Sequence, residues 1–130
     1  MDTAKLTTKS RDAVSAALRN ALTAGNPQAE PSHLLHALLM VPDNTVGTLL
    51  TAVGADPAQV DAAAQAAIKK LPSSTGSSVQ QPSLSGAFAR VVADAETRAE
   101  QMGDDFVATE HLLIALAAVA SDVQSVLTKV

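Results

Sequence analysis

The sequence predicts an all-α fold, and three observations carry that prediction. Of the 130 residues 47% are apolar, with two Phe and no Trp or Tyr, so the hydrophobic inventory is Ala, Leu and Val. Such an inventory suits closely packed helices better than a sheet sandwich. Apolar positions also recur at intervals of three and four, the stripe of an amphipathic helix. Finally, the chain repeats itself. Pro31-Ser32-His33-Leu34-Leu35-His36-Ala37-Leu38 returns 78 positions later as Thr109-Glu110-His111-Leu112-Leu113-Ile114-Ala115-Leu116. At that offset Leu6 meets Leu84, Val14 meets Val92, Ala17 meets Ala95, Ala21 meets Ala99 and Gly25 meets Gly103. Shortening the offset by one after Val41 brings Val46, Leu50, Thr51 and Val53 onto Val123, Leu127, Thr128 and Val130. The length suits a single domain of two tandem repeats, one spanning about residues 1–71 and the other about 83–130.

In the first repeat, Ala13, Val14, Ala17, Leu18, Ala21 and Leu22 form the stripe of a helix over about 8–24. Thr7 or Thr8 can cap it, with Leu6 folding back as a hydrophobic staple, and Gly25 can end it in the left-handed conformation ahead of Pro27. Pro31 suits a first helical position, where its missing N–H costs nothing, so a helix through His33 to Met40 starts there and stops before Pro42. Being apolar on nearly every side, it belongs in the middle of the domain. Val46, Leu49, Leu50 and Val53 read as a third short helix ended by Gly54. Asp56-Pro57 reads as a cap and first position of a fourth helix, with Val60, Ala63, Ala64, Ala67, Ile68 and Leu71 as its buried stripe.

Residues 72–82 hold Ser, Gly and a Gln pair between two prolines, have no periodicity, and read as a flexible connector. Beyond it Ser85 can cap a helix whose stripe is Phe88, Val91, Val92, Ala95, Ala99 and Met102, ending at Gly103. A turn through Asp104, Asp105 and Phe106 leads to Thr109 and a helix over 110–118; Ser121 caps another through Val123, Val126 and Leu127. The fourth helix of the first repeat has no counterpart before Val130, which predicts either an excised domain or a protein lacking one closing helix.

Several function classes find no support. A net charge of −4 with interspersed signs, and no aromatic stacking set, argues against nucleic acid. The lack of Cys removes disulfides, thiolate metal sites and thiol nucleophiles, and is compatible with the cytoplasm. No apolar run approaches the roughly 18 to 20 residues of a membrane span, and Met1-Asp2-Thr3 lacks the basic start of a signal peptide, so a soluble, unexported protein is expected. No Gly-x-x-x-x-Gly-Lys loop exists to cradle phosphates, and no Gly-x-Ser-x-Gly elbow or Ser, His, acid set points to catalysis. His33 and His36, with Glu30 nearby, have a spacing that a metal can use, but His33 and His111 are repeat equivalents near helix starts, which favours a structural contact; no metal site is expected. Thr7, Asp104 and Glu110 admit two readings. They serve as caps and helix-dipole partners, or the two acids beside the apolar Phe88–Met102 helix hold an extended peptide by its backbone amides.

Two tandem repeats carrying (Pro/Thr)-x-His-Leu-Leu-x-Ala-Leu motifs and joined by Leu71-Pro72 to Gln81-Pro82 resemble the amino-terminal Clp repeat domain of Clp-type AAA+ unfoldases. The opening Leu6-Thr7-x-Lys9 and the connector are closer to the ClpB disaggregase branch than to ClpA or ClpC. The resemblance implies a pseudo-twofold, non-catalytic domain of a hexameric, cytoplasmic stress chaperone, engaging unfolded or aggregated polypeptide and working with co-chaperones. ATP would bind only in AAA+ modules outside this segment. Carried over by motif, the polar contacts would be Thr7, Asp104 and Glu110, and the apolar groove would map onto Phe88, Val92 and His111. A stand-alone Clp-repeat protein, or a ClpC-type domain that binds adaptors or a small ligand, is the alternative implied.

Overall fold

A computed structural model describes residues 6–26, 28–40, 45–52, 54–71 and 83–119. Its helices are α1 (Thr8–Thr23), α2 (Pro31–Met40), α3 (Thr45–Ala52), α4 (Pro57–Lys69), α5 (Gly86–Gln101) and α6 (Thr109–Ala118), with two-residue strands β1 (Gln28–Ala29) and β2 (Ser83–Leu84). The chain is all-α in build, as its composition and periodicity require. The connector 72–82 and the helix expected from Ser121 onward lie outside the described residues.

Local chemistry starts and stops the helices where expected. Thr7 Oγ1 accepts the Ser10 N–H at 3.2 Å to cap α1, and Ser85 Oγ accepts the Phe88 N–H at 3.1 Å to cap α5. Asp56 caps α4 with Pro57 in the first turn. Gly25 and Gly103, at φ 76° and 77°, end α1 and α5 in the left-handed region, where a side chain would be strained. The N–H groups of Asn26 and Asp104 then reach back to the carbonyls of Ala21 and Ala99 at 2.8 and 2.9 Å, the six-to-one closure that satisfies a helix's last carbonyls. Gly54, at φ 86°, plays that part after α3.

The repeats are joined crosswise. Leu6 bridges Val107 in parallel and the Thr7 N–H donates to the Val107 carbonyl at 3.0 Å. At the equivalent place in the other repeat, β1 pairs β2 in parallel, Ala29 opposite Leu84, and the Ser85 N–H donates to the Ala29 carbonyl at 3.0 Å. Each repeat therefore lends its entry segment to the other. The packing follows the same logic. Within a repeat α1 lies on α2 and α5 on α6, while α2 meets α5 and α6, and α1 and α3 meet α6. The interface between repeats runs through the two His-Leu-Leu helices, α2 on α6, together with these crossed contacts. Leu34, Leu35, Leu38, Leu112, Leu116, Phe88 and Leu6 are fully enclosed at its centre.

Several stripe positions need correction: Leu22 on α1 is 45% exposed and Leu49 on α3 is 37% exposed. Of the proposed α4 stripe only Val60 and Ala64 are buried, because α4 caps the outside of α2 and leaves Ala63, Ala67, Ile68 and Leu71 half-covered. Met102 is 60% exposed, since it follows the last turn of α5 just before Gly103 turns the chain away.

Candidate functional site

The helix that carries His111 begins without a capping hydroxyl, since its N-cap is Ala108. The His111 ring supplies the return half of a capping box, a bond to the N-cap's own N–H. Its Nδ1 accepts the Ala108 N–H at 2.8 Å, and its Nε2 lies 2.9 Å from Asp104 Oδ2. A ring nitrogen that accepts an amide N–H carries no proton, so the network assigns the proton to Nε2, which donates to the carboxylate. The first repeat builds the same chain of bonds. There the Glu30 N–H donates to His33 Nδ1 at 2.9 Å, and Nε2 stands 2.9 Å from Asn26 Oδ1.

These matched networks differ in exposure. Asn26 is 2% exposed, whereas the Asp104 side chain is 48% exposed although His111 beneath it is only 2% exposed. Thr7 is half-buried beside this corner, held there by the backbone bond from its N–H to the Val107 carbonyl. Glu110, also half-buried, sits in the first turn of α6. Thr7 thus joins the 104–110 turn at one corner of the domain, together with both acids. Asp104 does not cap a helix with its side chain; that side chain is taken by His111.

Phe88, Val92 and His111 occupy a different layer. Phe88 is fully enclosed and Val92 is 3% exposed, so they do not floor an open groove. Their stripe on α5 packs toward α6 and α2, and both lie in the core. The apolar surface near the acids comes instead from Phe106, 54% exposed, which lines a recess of about 380 Å³ with Glu96, Thr97, Ala99, Glu100, Asp104, Asp105 and Val107. Ile114 and Met102 are exposed on the same repeat. One signal marks Phe106 and Ile114: their repeat mates are polar, Gln28 and His36, whereas most core positions are apolar in both copies, Phe88 with its mate Ser10 being an exception.

The histidines of α2 are engaged by protein groups. His33 is occupied at both ring nitrogens, and His36 Nδ1 pairs with Asp61 Oδ1, which also ties α4 to α2; the other Asp61 oxygen accepts from Gln65 Nε2 at 2.7 Å. Among the described residues no three His, Cys, Asp or Glu gather as metal ligands would. No described helix is long and apolar enough to cross a membrane.

The comparisons with known proteins agree with this architecture. The model of the Clp repeat (R) N-terminal domain matches residues 5–130. The chain is 72% identical over 127 residues to the chaperone protein ClpB of Propionibacterium freudenreichii, and 44% identical over 128 residues to that of Mycobacterium tuberculosis, each match covering 98% of this chain. It spans about 15% of the length of these relatives. Among solved structures, the Hsp104 N-terminal domain from Candida albicans superposes with a TM-score of 0.78 at 22% identity, covering 96% of this chain and 78% of that one. The N-terminal domain of the ClpV1 ATPase from E. coli gives 0.82 at 21% identity, covering 98% and 78%. At those identities the likeness concerns the fold.

Proposed function

The chain belongs to the Clp repeat N-terminal domain family, and from that premise we propose that it is a non-catalytic recruiting module of a ClpB-like disaggregase that binds unfolded or aggregated polypeptide. The observation that carries this reading is the corner of Thr7, Asp104 and Glu110. A carboxylate half in solvent, anchored from below by a buried histidine, is a fixed acceptor for backbone N–H groups of an extended chain. Phe106 supplies apolar surface next to it, in a recess of the size that takes a side chain. Bonds to sequence-neutral backbone amides with one apolar contact suit a binder that must accept many sequences. Affinity is then weak per site, each charged hydrogen bond contributing at most about 1.5 to 3 kcal/mol and less where water competes. The remaining parts of the machine, its ATPase modules and co-chaperones, belong to the same proposal.

The test is a chemical-shift titration of the domain with reduced, carboxymethylated lactalbumin, a permanently unfolded chain, followed by the same titration on Asp104→Ala with Glu110→Ala. Expected are shifts clustered at residues 7, 104–107 and 110, and a weakened affinity in the double variant, whose melting temperature also falls because the buried His111 N–H loses its acceptor. Lower stability with unchanged affinity would reduce the acids to helix-dipole partners and refute the reading.

A further inference from the structure

The repeated histidine network does different work in its two copies. In the first repeat the histidine and its acceptor are both enclosed: His33 has no exposed surface and Asn26 is at 2%. In the second repeat the histidine is equally enclosed, yet its acceptor is an anion that reaches solvent. The Asp104 backbone is already fixed by its N–H bond to the Ala99 carbonyl, and the His111 bond takes one carboxylate oxygen, Oδ2. No other hydrogen bond to that carboxylate is made among the described residues.

We infer that His111 is a positioning residue for ligand binding: it clamps Asp104 by Oδ2 so that Oδ1 is presented, already ordered, to a backbone N–H of the incoming chain. This rests on the reading of Asp104 as a peptide contact. An acceptor held in one rotamer loses no side-chain freedom on binding, and ordering a free side chain would weaken affinity by about two- to tenfold. His111 is therefore not part of an apolar groove surface; it acts from beneath, through the carboxylate. His33, in the closed copy, keeps only the structural half of the role.

The geometry of the ring separates these parts. An asparagine at 111 retains an acceptor where Nδ1 meets the Ala108 N–H but falls short of Asp104. A glutamine places its amide N–H where Nε2 stands and keeps the clamp while losing the bond to Ala108. We expect His111→Asn to weaken binding of carboxymethylated lactalbumin about two- to tenfold, His111→Gln to bind within twofold of the parent, and His33→Asn to lower the melting temperature with affinity unchanged. Equal affinities for the Asn and Gln variants, or an affinity loss in His33→Asn as large as in His111→Asn, overturn the inference. Asp104→Ala measured alongside distinguishes the two levels: if it binds normally, the peptide-contact reading fails and takes the clamp with it. If it binds poorly while His111→Asn binds normally, only the clamp fails. Should the variants not fold, ring nitrogen NMR on the unmutated domain decides. The His111 Nε2–H signal should move at saturating lactalbumin while that of His33 stays, and a stationary His111 signal refutes the role.

Discussion

Two side-chain helix caps, a buried hydroxyl and an exposed carboxylate, offer a test of how the fold is held. Ser85 is 4% exposed and its Oγ accepts the Phe88 N–H at 3.1 Å, at the start of a helix that enters the core. Replacing it by Ala leaves that N–H in the interior with no water to replace the oxygen, which costs about 1 to 3 kcal/mol. The crosswise bond from the Ser85 N–H to the Ala29 carbonyl survives the change, so the loss reports the cap alone. Asp56 caps α4 with Oδ1 3.0 Å from the Ala58 N–H, but in solvent. Water can take over there, and Asp56→Ala should cost only about 0.5 to 1 kcal/mol. A chain of 130 residues loses roughly 4 °C of melting temperature per kcal/mol, from about 2.1 cal/mol/K of unfolding entropy per residue. The expected drops are therefore about 4 to 12 °C for Ser85→Ala and about 2 to 4 °C for Asp56→Ala. With no Trp or Tyr to report by fluorescence, far-ultraviolet circular dichroism on heating is the assay. A larger loss at Asp56 than at Ser85 would show that burial does not set the cost of these caps, and would refute the reasoning.

Other perturbations follow from the same structure. Leu35→Ala should cost about 2 to 5 kcal/mol in urea unfolding, with Leu113→Ala, 8% exposed, toward the lower end; unchanged midpoints for both would contradict the buried assignment. Gly103→Ala should cost about 1 to 2 kcal/mol from backbone strain alone, since an added Cβ meets nothing within 4 Å at its φ of 77°. Gly103→Asn should recover part of that loss. His36→Ala removes the side-chain link between α2 and α4, and should speed amide exchange in α4 ahead of the rest of the domain at a cost of about 0.5 to 1.5 kcal/mol. Uniform acceleration throughout the chain would mean that α4 is not separately held.

The helices were legible because their signals are local. Thr7, Ser85, Asp56-Pro57 and the glycines at 25, 54 and 103 each satisfy or end a helix by chemistry confined to a few residues. The crosswise strand pairs were not legible, because Leu6-Thr7 and Leu84-Ser85 look like ordinary helix entries and their partners, Val107 and Ala29, stand about a repeat away. Thr7, Asp104 and Glu110 could be grouped by residue type, but Phe88 and Val92, read as a groove floor, are enclosed. A stripe at helical spacing identifies which residues are covered and says nothing about what covers them, and Phe88 and Val92 went to the core. Comparing the repeats position by position helps in part: Leu22, whose mate is Glu100, is exposed, like Phe106 and Ile114 with their polar mates, yet Phe88, whose mate is Ser10, is fully buried.

The crossed construction also decides which residue can discriminate between the cap and the contact readings of the corner. Thr7 belongs to both at once. Its hydroxyl caps α1 and donates to Ser10 Oγ at 2.9 Å, while its backbone carries the link to Val107, so Thr7→Ala is expected to lower stability whether or not Thr7 touches a ligand. Asp104 is free of that ambiguity, because its side chain meets His111 rather than a free helix N–H and its exposed half meets water. Glu110 lies between the two, in the first turn of α6, where a carboxylate gains about 0.3 to 1 kcal/mol from the helix dipole. Adding salt screens that dipole term. The stability of the parent relative to Glu110→Gln should therefore shrink as salt rises, whereas a gap in melting temperature that stays constant with salt would mean that Glu110 contributes through packing and not through its charge.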